Sequence, residues 1–577
     1  MSNQEKLPQI DNTIEGDVKN GSLEKVSGND ELVGSEMMSA SDIHSGDEGR
    51  EPTEHETATL RHVSEEIPWS CWLVALVELA ERFSYYGLST PFQNYMQFTP
   101  DHKPAGMLGL AHQGATALSY FFQFWCYVTP ILGGWVSDTY WGKYKTICVF
   151  CGIYIVGILI LFVTSIPSIT SKATATGGYI ASIIIIGLAT GGVKSNVSPL
   201  IADQIPKKKP YIKTTKKGEQ VIVDPNITVQ NVFMLFYFCI NLGSLSVIAT
   251  TELEAHVGFW AAYLLPFCFF FVAVVALALG RNVYVKIPIG DKIVNKTFKC
   301  AWTSLVNGFK FESAKPSVHP EKSFPWDDHF VEEVKRTIYA CKVFIFYPVY
   351  WVVYGSMLGL LTPQGAGMTQ TMPNDFLQAF DSIAIMVFIP IFERLLYPFI
   401  RRYTPFKPIT KIFWGFMFGS GSMLYAAVLQ HYIYKTGPCY DQPLNCENGN
   451  HINIGLQTPA YVLIAISEIL ASITGLEYAY TKAPVQMKSL VMAMFLLTNA
   501  FGSAIGIALS SVSVDPKMVW TFSGLCVSCF IGGLLFWFFF RHYNEREDEW
   551  NNLEYEAQLD EAILRPVTSL TSHKSLA

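Results

Sequence analysis

Charged residues are scarce in this chain of 577 residues. Asp, Glu, Lys and Arg together make up 15% of it, whereas about 25% is usual for soluble domains. Hydrophobic residues reach 50% and aromatic residues 14%. This balance excludes a soluble multidomain protein, because that much apolar surface exceeds what soluble cores bury. We therefore expect an integral membrane protein.

Clusters of metal ligands and nucleophiles are also lacking. The chain has 12 histidines, and no two of them stand at ligand spacing within an apolar segment. Cys148 with Cys151, and Cys526 with Cys529, have the C-x-x-C spacing but no histidine nearby in sequence. Such thiols are more often packing residues than metal ligands. A membrane enzyme is therefore not expected, nor is a metal or an organic cofactor.

The amino terminus lacks the basic-then-apolar order of a cleavable signal peptide. Residues 1–66 instead contain 16 acidic and 5 basic residues, a net charge of −11. They are rich in Ser, Glu, Asp and Gly and show no apolar periodicity. This composition predicts a disordered acidic tail in the cytosol, and the first apolar span then serves as the insertion signal.

About twelve apolar segments follow, each long enough to cross a bilayer as a helix. They predict an all-α membrane protein with helices in 67–280 and 338–541, a cytosolic linker with an amphipathic helix in 281–337, and a cytosolic tail in 542–577. Basic residues crowd the loops after spans four and eight and place those loops in the cytosol. They are Lys207, Lys208, Lys209, Lys213, Lys216, Lys217, Arg401, Arg402, Lys407 and Lys411. Both termini are then cytosolic.

Cys439 and Cys446 lie in the loop after span nine, on the predicted outer side. An oxidising exterior permits a disulfide between them. Two free thiols are the alternative.

Glu78, Glu81 and Arg82 lie inside the first apolar span. Charges at that depth are costly, so they usually have a function. Spacings of three and four residues place them on one helix face, and Tyr85 and Ser89 extend the same stripe. A helix with one polar seam is expected to line a wet cavity.

Four further polar residues stand near the middle of other spans: Tyr127, Lys194, Asn241 and Glu468. A solitary Lys or Glu at that depth indicates a substrate or ion pathway, although an internal salt bridge that holds helices together is the alternative. Neutral Tyr127 and Asn241 also fit simple hydrogen bonding between helices.

Ordered motifs carry a family resemblance. Residues 133–143, in the turn after span two, resemble the cytosolic signature of the major facilitator superfamily. Residues 78–87 (ELAERFSYYG) resemble the first-span signature of proton-coupled oligopeptide transporters. Similar motifs of that family follow in order at 191–198 (GGVKSNVS), 236–244 (FYFCINLGS) and 467–489. The linker and acidic tail look most like the fungal members.

The resemblance implies two six-helix bundles of the major facilitator type that alternate between outward-open and inward-open states. It implies symport of di- and tripeptides with protons, in the plasma membrane, by a multi-pass protein that acts as a monomer in the lipid bilayer. No nucleic-acid partner is expected, and protons are the only coupling ion.

The resemblance also implies roles for the polar residues. Glu468 would hold the peptide ammonium group and Asn241 its backbone, while Lys194 and Arg82 attract the carboxylate. Tyr85, Tyr86 and Tyr127 would add hydroxyl groups and aromatic walls. Glu78, Glu81, Arg82 and Lys194 would couple transport to protons, because protonation weakens the hold of a buried acid on its basic partner.

The chain departs from the family at several positions. Ser89 stands where many members have Arg, and span seven carries no acid to pair with such an Arg. The usual salt bridge of the outer gate is therefore not expected. Tyr120 replaces a histidine of animal members, which excludes proton coupling through an imidazole in span two. Asp381, often Asn in the family, either lines the pocket or is structural.

Two alternatives within the same fold stay open. One is a carrier of nitrate, an amino acid or another small metabolite, and Glu468 argues against an anion carrier because a small anion needs no carboxylate partner. The other is a sensor that binds peptide without transporting it, a role that the acidic tail would suit.

Overall fold

A computed structural model describes residues 49–544 of the chain, except 51, 103–104, 168–170, 207–209, 216–217, 287–292, 309, 320–323, 404–405, 446–448 and 482–487. Most of the predicted acidic tail lies outside the described residues. The same holds for the carboxyl-terminal tail beyond residue 544, the basic residues Lys207, Lys208, Lys209, Lys216 and Lys217, and the segment around Pro484.

The described structure is mainly helical. The helices are α1 (Glu54–Thr59), α2 (Trp69–Ser89), α3 (Phe92–Gln97), α4 (Ala111–Val136), α5 (Lys143–Thr164), α6 (Lys172–Asp203), α7 (Pro225–Ser244), α8 (Ser246–His256), α9 (Phe259–Gly280), α10 (Ile293–Val306), α11 (Asp328–Cys341), α12 (Tyr347–Ser356), α13 (Thr362–Ala366), α14 (Ala379–Ile391), α15 (Tyr397–Arg401), α16 (Pro408–Lys435), α17 (Thr458–Ser467), α18 (Thr474–Thr481), α19 (Lys488–Leu509) and α20 (Met518–Phe540). The short strands are β1 (His62–Val63), β2 (Tyr211–Thr214), β3 (Gln220–Val223), β4 (Met368–Thr369) and β5 (Asn450–Asn453).

The chain divides into two compact units, one formed by Met1–Arg61 with Tyr211–Ile222 and one by the rest. In the described part of the small unit, Thr53 and Glu56 form a reciprocal capping box that starts α1. The Arg50 guanidinium donates to Glu56 at 2.9 Å. Helix α1 thus lies within the segment predicted to be disordered, because a local capping box starts a helix without an apolar pattern.

The large unit contains the membrane-spanning helices. Ten described helical segments are long and apolar enough to cross a membrane. Helices α2 and α4 occupy the first two predicted span positions and pack within the amino-terminal bundle, which is consistent with the prediction of about twelve spans. Their polar side chains lower their hydropathy, and in α2 these are the charged residues of the first-span motif.

Two hydrophobic cores define two bundles. In the amino-terminal bundle, α2 packs against α7 and α9, and α6 packs against α4 and α5. In the carboxyl-terminal bundle, α16 packs against α17 and α20, and α12 against α19. Large apolar side chains such as Leu279 and Phe538 are about two-thirds exposed on the outer faces of α9 and α20. A bilayer covers such faces.

The linker between the bundles is helical in part. α10 and α11 surround a small apolar core of Cys300, Ala314, Phe330, Val331 and Val334. The amphipathic helix expected in 281–337 corresponds to α11, which begins at Asp328 and continues to Cys341.

The bundles meet most extensively through α4 and α19. Tyr120 of α4 is buried there against three glycines, and a Cβ on Gly506, Gly355 or Gly359 would lie only 2.4–2.9 Å from its ring. Small residues let the helices approach this closely. Tyr120, noted above as a replacement for histidine, thus serves the packing between the bundles.

Candidate functional site

The charged seam of α2 forms a compact cluster. Glu78 and Glu81 are each 1% exposed and Arg82 is 8% exposed. Arg82 Nε donates to Glu78 Oε1 at 2.7 Å and lies 3.3 Å from Glu81 Oε2. The second contact lacks hydrogen-bond geometry, and neither Glu81 oxygen has a hydrogen-bond partner in the described structure. The two acids are therefore not equivalent: Glu78 holds the arginine, and Glu81 is poorly satisfied.

Glu81 faces the second cationic group of the site. Its charge interacts with that of Lys194 on α6, as well as with Arg82 and Glu78. Lys194 Nζ lies 3.9 Å from the centroid of the Tyr127 ring, a cation–π geometry that stabilises a buried ammonium group. The sequence-predicted coupling residues are thus brought together in the amino-terminal bundle.

Glycines allow this closeness. A Cβ on Gly192 would lie 2.1 Å from the Phe150 ring, and a Cβ on Gly133 would lie 2.6 Å from the Gly192 Cα. Only residues without side chains let α4, α5 and α6 meet here, so the glycine pair before Lys194 fixes its position beside Tyr127.

Glu468 belongs to the carboxyl-terminal bundle and begins a π-helical segment, Glu468–Ile473, between α17 and α18. Such segments are frequent at functional sites because they redirect side chains. Tyr354 is its neighbouring hydrogen-bond donor. Asp381 of α14 is close enough for its charge to interact with that of Glu468. Of the two readings for Asp381, the position beside Glu468 favours a pocket-lining residue.

The two halves of the site face each other. Tyr86 of α2 is near Glu468, Tyr127 and Asp381, and Tyr237 of α7 is near Glu468 and Tyr86. Six side chains of the site are only partly buried although they lie mid-helix. They are Tyr86, Tyr127, Lys194, Tyr237, Tyr354 and Glu468.

Two predicted residues take other positions. The Tyr85 ring lies in the core of the amino-terminal bundle, 5.9 Å from the Phe122 ring. The Asn241 amide donates to the Tyr237 carbonyl at 2.9 Å, so it supports α7 beside the cavity. Sequence reasoning missed Tyr237 and Tyr354; Tyr237 stands inside the span-five motif, which was the available signal.

One end of the bundle pair, here called the Asn94 end, is closed by hydrogen bonds between the bundles. The side-chain amides of Asn94 and Asn374 form two reciprocal hydrogen bonds of 2.8 and 2.9 Å. Thr90 donates to Gln378 at 2.8 Å. Ser89 is buried nearby, and its hydroxyl has no hydrogen-bond partner among the residues that the structure describes. Uncharged side chains thus join the bundles where the sequence lacks the usual salt bridge.

The loop after α16 lies at this same end. Cys439 is disulfide-bonded, and its predicted partner Cys446 lies outside the described residues. The ten other described cysteines are free thiols.

Two six-helix bundles around a charged, tyrosine-lined centre define a membrane transporter of the major facilitator type. A family model described as PTR2: POT family matches residues 144–525. The chain is 64% identical over 531 residues to "Peptide transporter PTR_A" of Candidozyma auris, covering 91% of this chain and 90% of that protein. It is 63% identical over 519 residues to "Peptide transporter PTR2" of Saccharomyces cerevisiae, covering 90% and 86%. The chain belongs to the POT family.

Solved structures agree on the fold. A crystal structure of an auto-inhibited POT family peptide transporter superposes with a TM-score of 0.66 at 20% identity, covering 82% of this chain and 97% of that one. The POT family transporter PepTSo gives 0.65 at 22% identity, covering 84% and 99%. The family resemblance and the predicted fold class are confirmed.

Proposed function

We propose that this protein imports di- and tripeptides together with protons by alternating access. The observation that carries the proposal is the buried Glu78–Arg82–Glu81 cluster, placed beside Lys194 and facing the tyrosine-lined cavity. Relatives that are more than 60% identical over most of the chain are named peptide transporters, which supports the choice of substrate.

The Asn94 end faces the cell exterior in this proposal. The disulfide-bonded Cys439 lies at that end, and disulfides persist in oxidising surroundings. The described basic residues Arg402, Lys407 and Lys411 lie at the opposite end, where α16 begins, and the positive-inside rule assigns such residues to the cytosolic face. The protein then spans the plasma membrane many times with both termini in the cytosol, and it acts as a monomer.

The substrate site recognises the groups that all short peptides share, the terminal ammonium group and the terminal carboxylate. Glu468 supplies a negative charge for the ammonium group, and Lys194 with Arg82 attracts the carboxylate across the cavity. Tyr86, Tyr127 and Tyr354 offer hydroxyl groups and rings that accept varied side chains. Tyr85 and Asn241 keep a supporting role, since one packs in the core and the other bonds to its own helix.

Glu81 is the proposed proton carrier. Glu78 already makes the hydrogen bond to Arg82, whereas Glu81 is buried without any. Burial without hydrogen bonds disfavours the charged form of a carboxyl group, so protonation stabilises such a group more than one that accepts hydrogen bonds. Protonation of Glu81 removes a negative charge from beside Lys194 and leaves the ammonium group available to the peptide carboxylate. Proton and peptide then favour the same closed state.

Uptake of a labelled dipeptide into cells that lack their own carrier tests this function. Acid outside should accelerate accumulation, and a protonophore should abolish it. Unlabelled dipeptides should compete, whereas nitrate and single amino acids should not. Accumulation that survives the protonophore would contradict proton coupling, and binding without accumulation would indicate a sensor.

A further inference from the structure

Two buried carboxyl groups meet at the Asn94 end, away from the substrate site. Glu254 belongs to α8 of the amino-terminal bundle, and Asp375 to the turn before α14 of the carboxyl-terminal bundle, which α8 contacts. Asp375 has no exposed surface and Glu254 has 8%. Each carboxyl group is within hydrogen-bonding reach of the other. Because the two come from different bundles, they meet only while this end is closed.

If both groups are ionised, this contact lacks a hydrogen-bond donor. Both Asp375 oxygens and Glu254 Oε2 are buried without a hydrogen-bond partner in the described structure. The backbone amides of Asp375 and Phe376 approach the Asp375 carboxyl group without making full hydrogen bonds. Two ionised carboxylates offer only acceptors and repel each other, whereas one shared proton supplies the missing donor and removes the repulsion.

Among the described residues, no basic side chain compensates the charge of the pair. Asn94 donates to Glu254 Oε1 at 2.9 Å. The pair is therefore connected to the hydrogen bonds between Asn94 and Asn374 that join the bundles. Titratable groups that interact with the pair include Glu252 on α8, Tyr263 on α9 and Tyr461 on α17. The ion pairs among the described residues include neither carboxyl group.

We propose that Glu254 and Asp375 form a proton-binding site that closes the outer gate. With one proton shared, the bundles close at the Asn94 end; when both groups are ionised, repulsion and hydration separate them. Acid therefore favours closure. This proton binds on closing and leaves to the same side on reopening, so it gates transport without crossing the membrane. The assignment to the outer face rests on the proposed function, whereas the acid pair does not.

The test measures the gate itself rather than transport. Spin labels on cysteines introduced at the exposed positions Ala173 of α6 and Lys435 of α16 report the separation of the bundles at this end, in purified full-length protein that sees one pH on all sides. The spectrum of the protein without these two cysteines is subtracted. In the parent, the closed-to-open ratio should fall as pH rises, by up to about tenfold per pH unit for each proton bound on closing.

Asp375→Asn keeps the shape and supplies an amide donor to Glu254, so closure should no longer need this proton. Its pH slope should decrease by up to about one proton relative to the parent. Glu254→Gln should do the same, and this second variant covers the case that the first does not fold. Glu393→Gln, at an exposed glutamate beyond the far end of α14, should keep the parent slope. Parent slopes in both Asp375→Asn and Glu254→Gln would overturn the proposal, even if peptide uptake is proton-driven.

Discussion

The unequal positions of Glu78 and Glu81 predict that two apparently equivalent substitutions will behave differently. Glu78→Gln removes the charge that receives the 2.7 Å hydrogen bond from Arg82 and leaves a buried guanidinium poorly compensated. Breaking a buried ion pair in this way costs about 3 kcal/mol or more. Glu81→Gln breaks no hydrogen bond but removes the 3.3 Å ion pair with Arg82, so its cost in stability should be smaller than that of Glu78→Gln.

Stability and transport should therefore separate. Glu78→Gln should lower the unfolding temperature of the purified protein by several degrees, whereas Glu81→Gln should lower it less. Glu81→Gln should lose proton-driven accumulation in proteoliposomes but keep counterflow of labelled against unlabelled dipeptide, because counterflow needs reorientation of the loaded carrier without net proton movement. Glu393→Gln, at an exposed glutamate beyond α14, is the matched control and should change neither readout.

Two results would refute this reasoning. If Glu81→Gln kept full pH-driven accumulation, the cluster would be a structural ion pair and the proton site would have to be sought at Glu468 or Asp381. If both variants lost the same stability, the hydrogen-bond asymmetry between the two acids would have no energetic meaning.

Three further predictions concern the cavity and its supports. Glu468→Gln should weaken binding of peptides with a free amino terminus by tenfold or more, the loss of about 1.4 kcal/mol or more from one counter-charge, while amino-acetylated peptides are little affected; equal losses for both would place the ammonium group elsewhere. Tyr127→Leu should impair uptake more than Tyr127→Phe, because phenylalanine keeps the ring that lies 3.9 Å from Lys194, as measured by uptake normalised to surface expression. Gly192→Ala should reduce the amount of folded protein, since its Cβ would lie 2.1 Å from Phe150, whereas Gly152→Ala, with nothing within 4 Å, should be neutral in size-exclusion chromatography.

The apolar runs of the sequence are enough by themselves to predict much of the fold. Their length and number predict the spans, and charges inside a run are so costly that Glu78, Arg82, Lys194 and Glu468 stand out without an alignment. Spacing along a single helix also suffices to place Glu78 and Arg82 on one face. The chain order of the motifs then points to the family.

Contacts between helices could not be predicted in the same way. Tyr85 and Tyr86 are neighbours in sequence, yet Tyr85 is buried in the core whereas Tyr86 is partly buried and near Glu468 and Asp381. The local sequence does not specify which of the two side chains is more exposed, because the rotation of the helix is set by packing against its neighbours. Tyr354 lacked any sequence signal for the same reason.

The contacts between the bundles at the Asn94 end show most clearly what the sequence determines and what only the tertiary structure decides. The sequence determined that the usual salt bridge is missing, because Ser89 and a span seven without acids are local facts. What replaces it is built from Asn94, Glu254, Asn374 and Asp375, which are separated by up to 281 positions in the chain. Each is an ordinary polar residue near a helix end. Only the docking of one bundle on the other buries them together, and burial is what turns their amides and carboxyl groups into a gate.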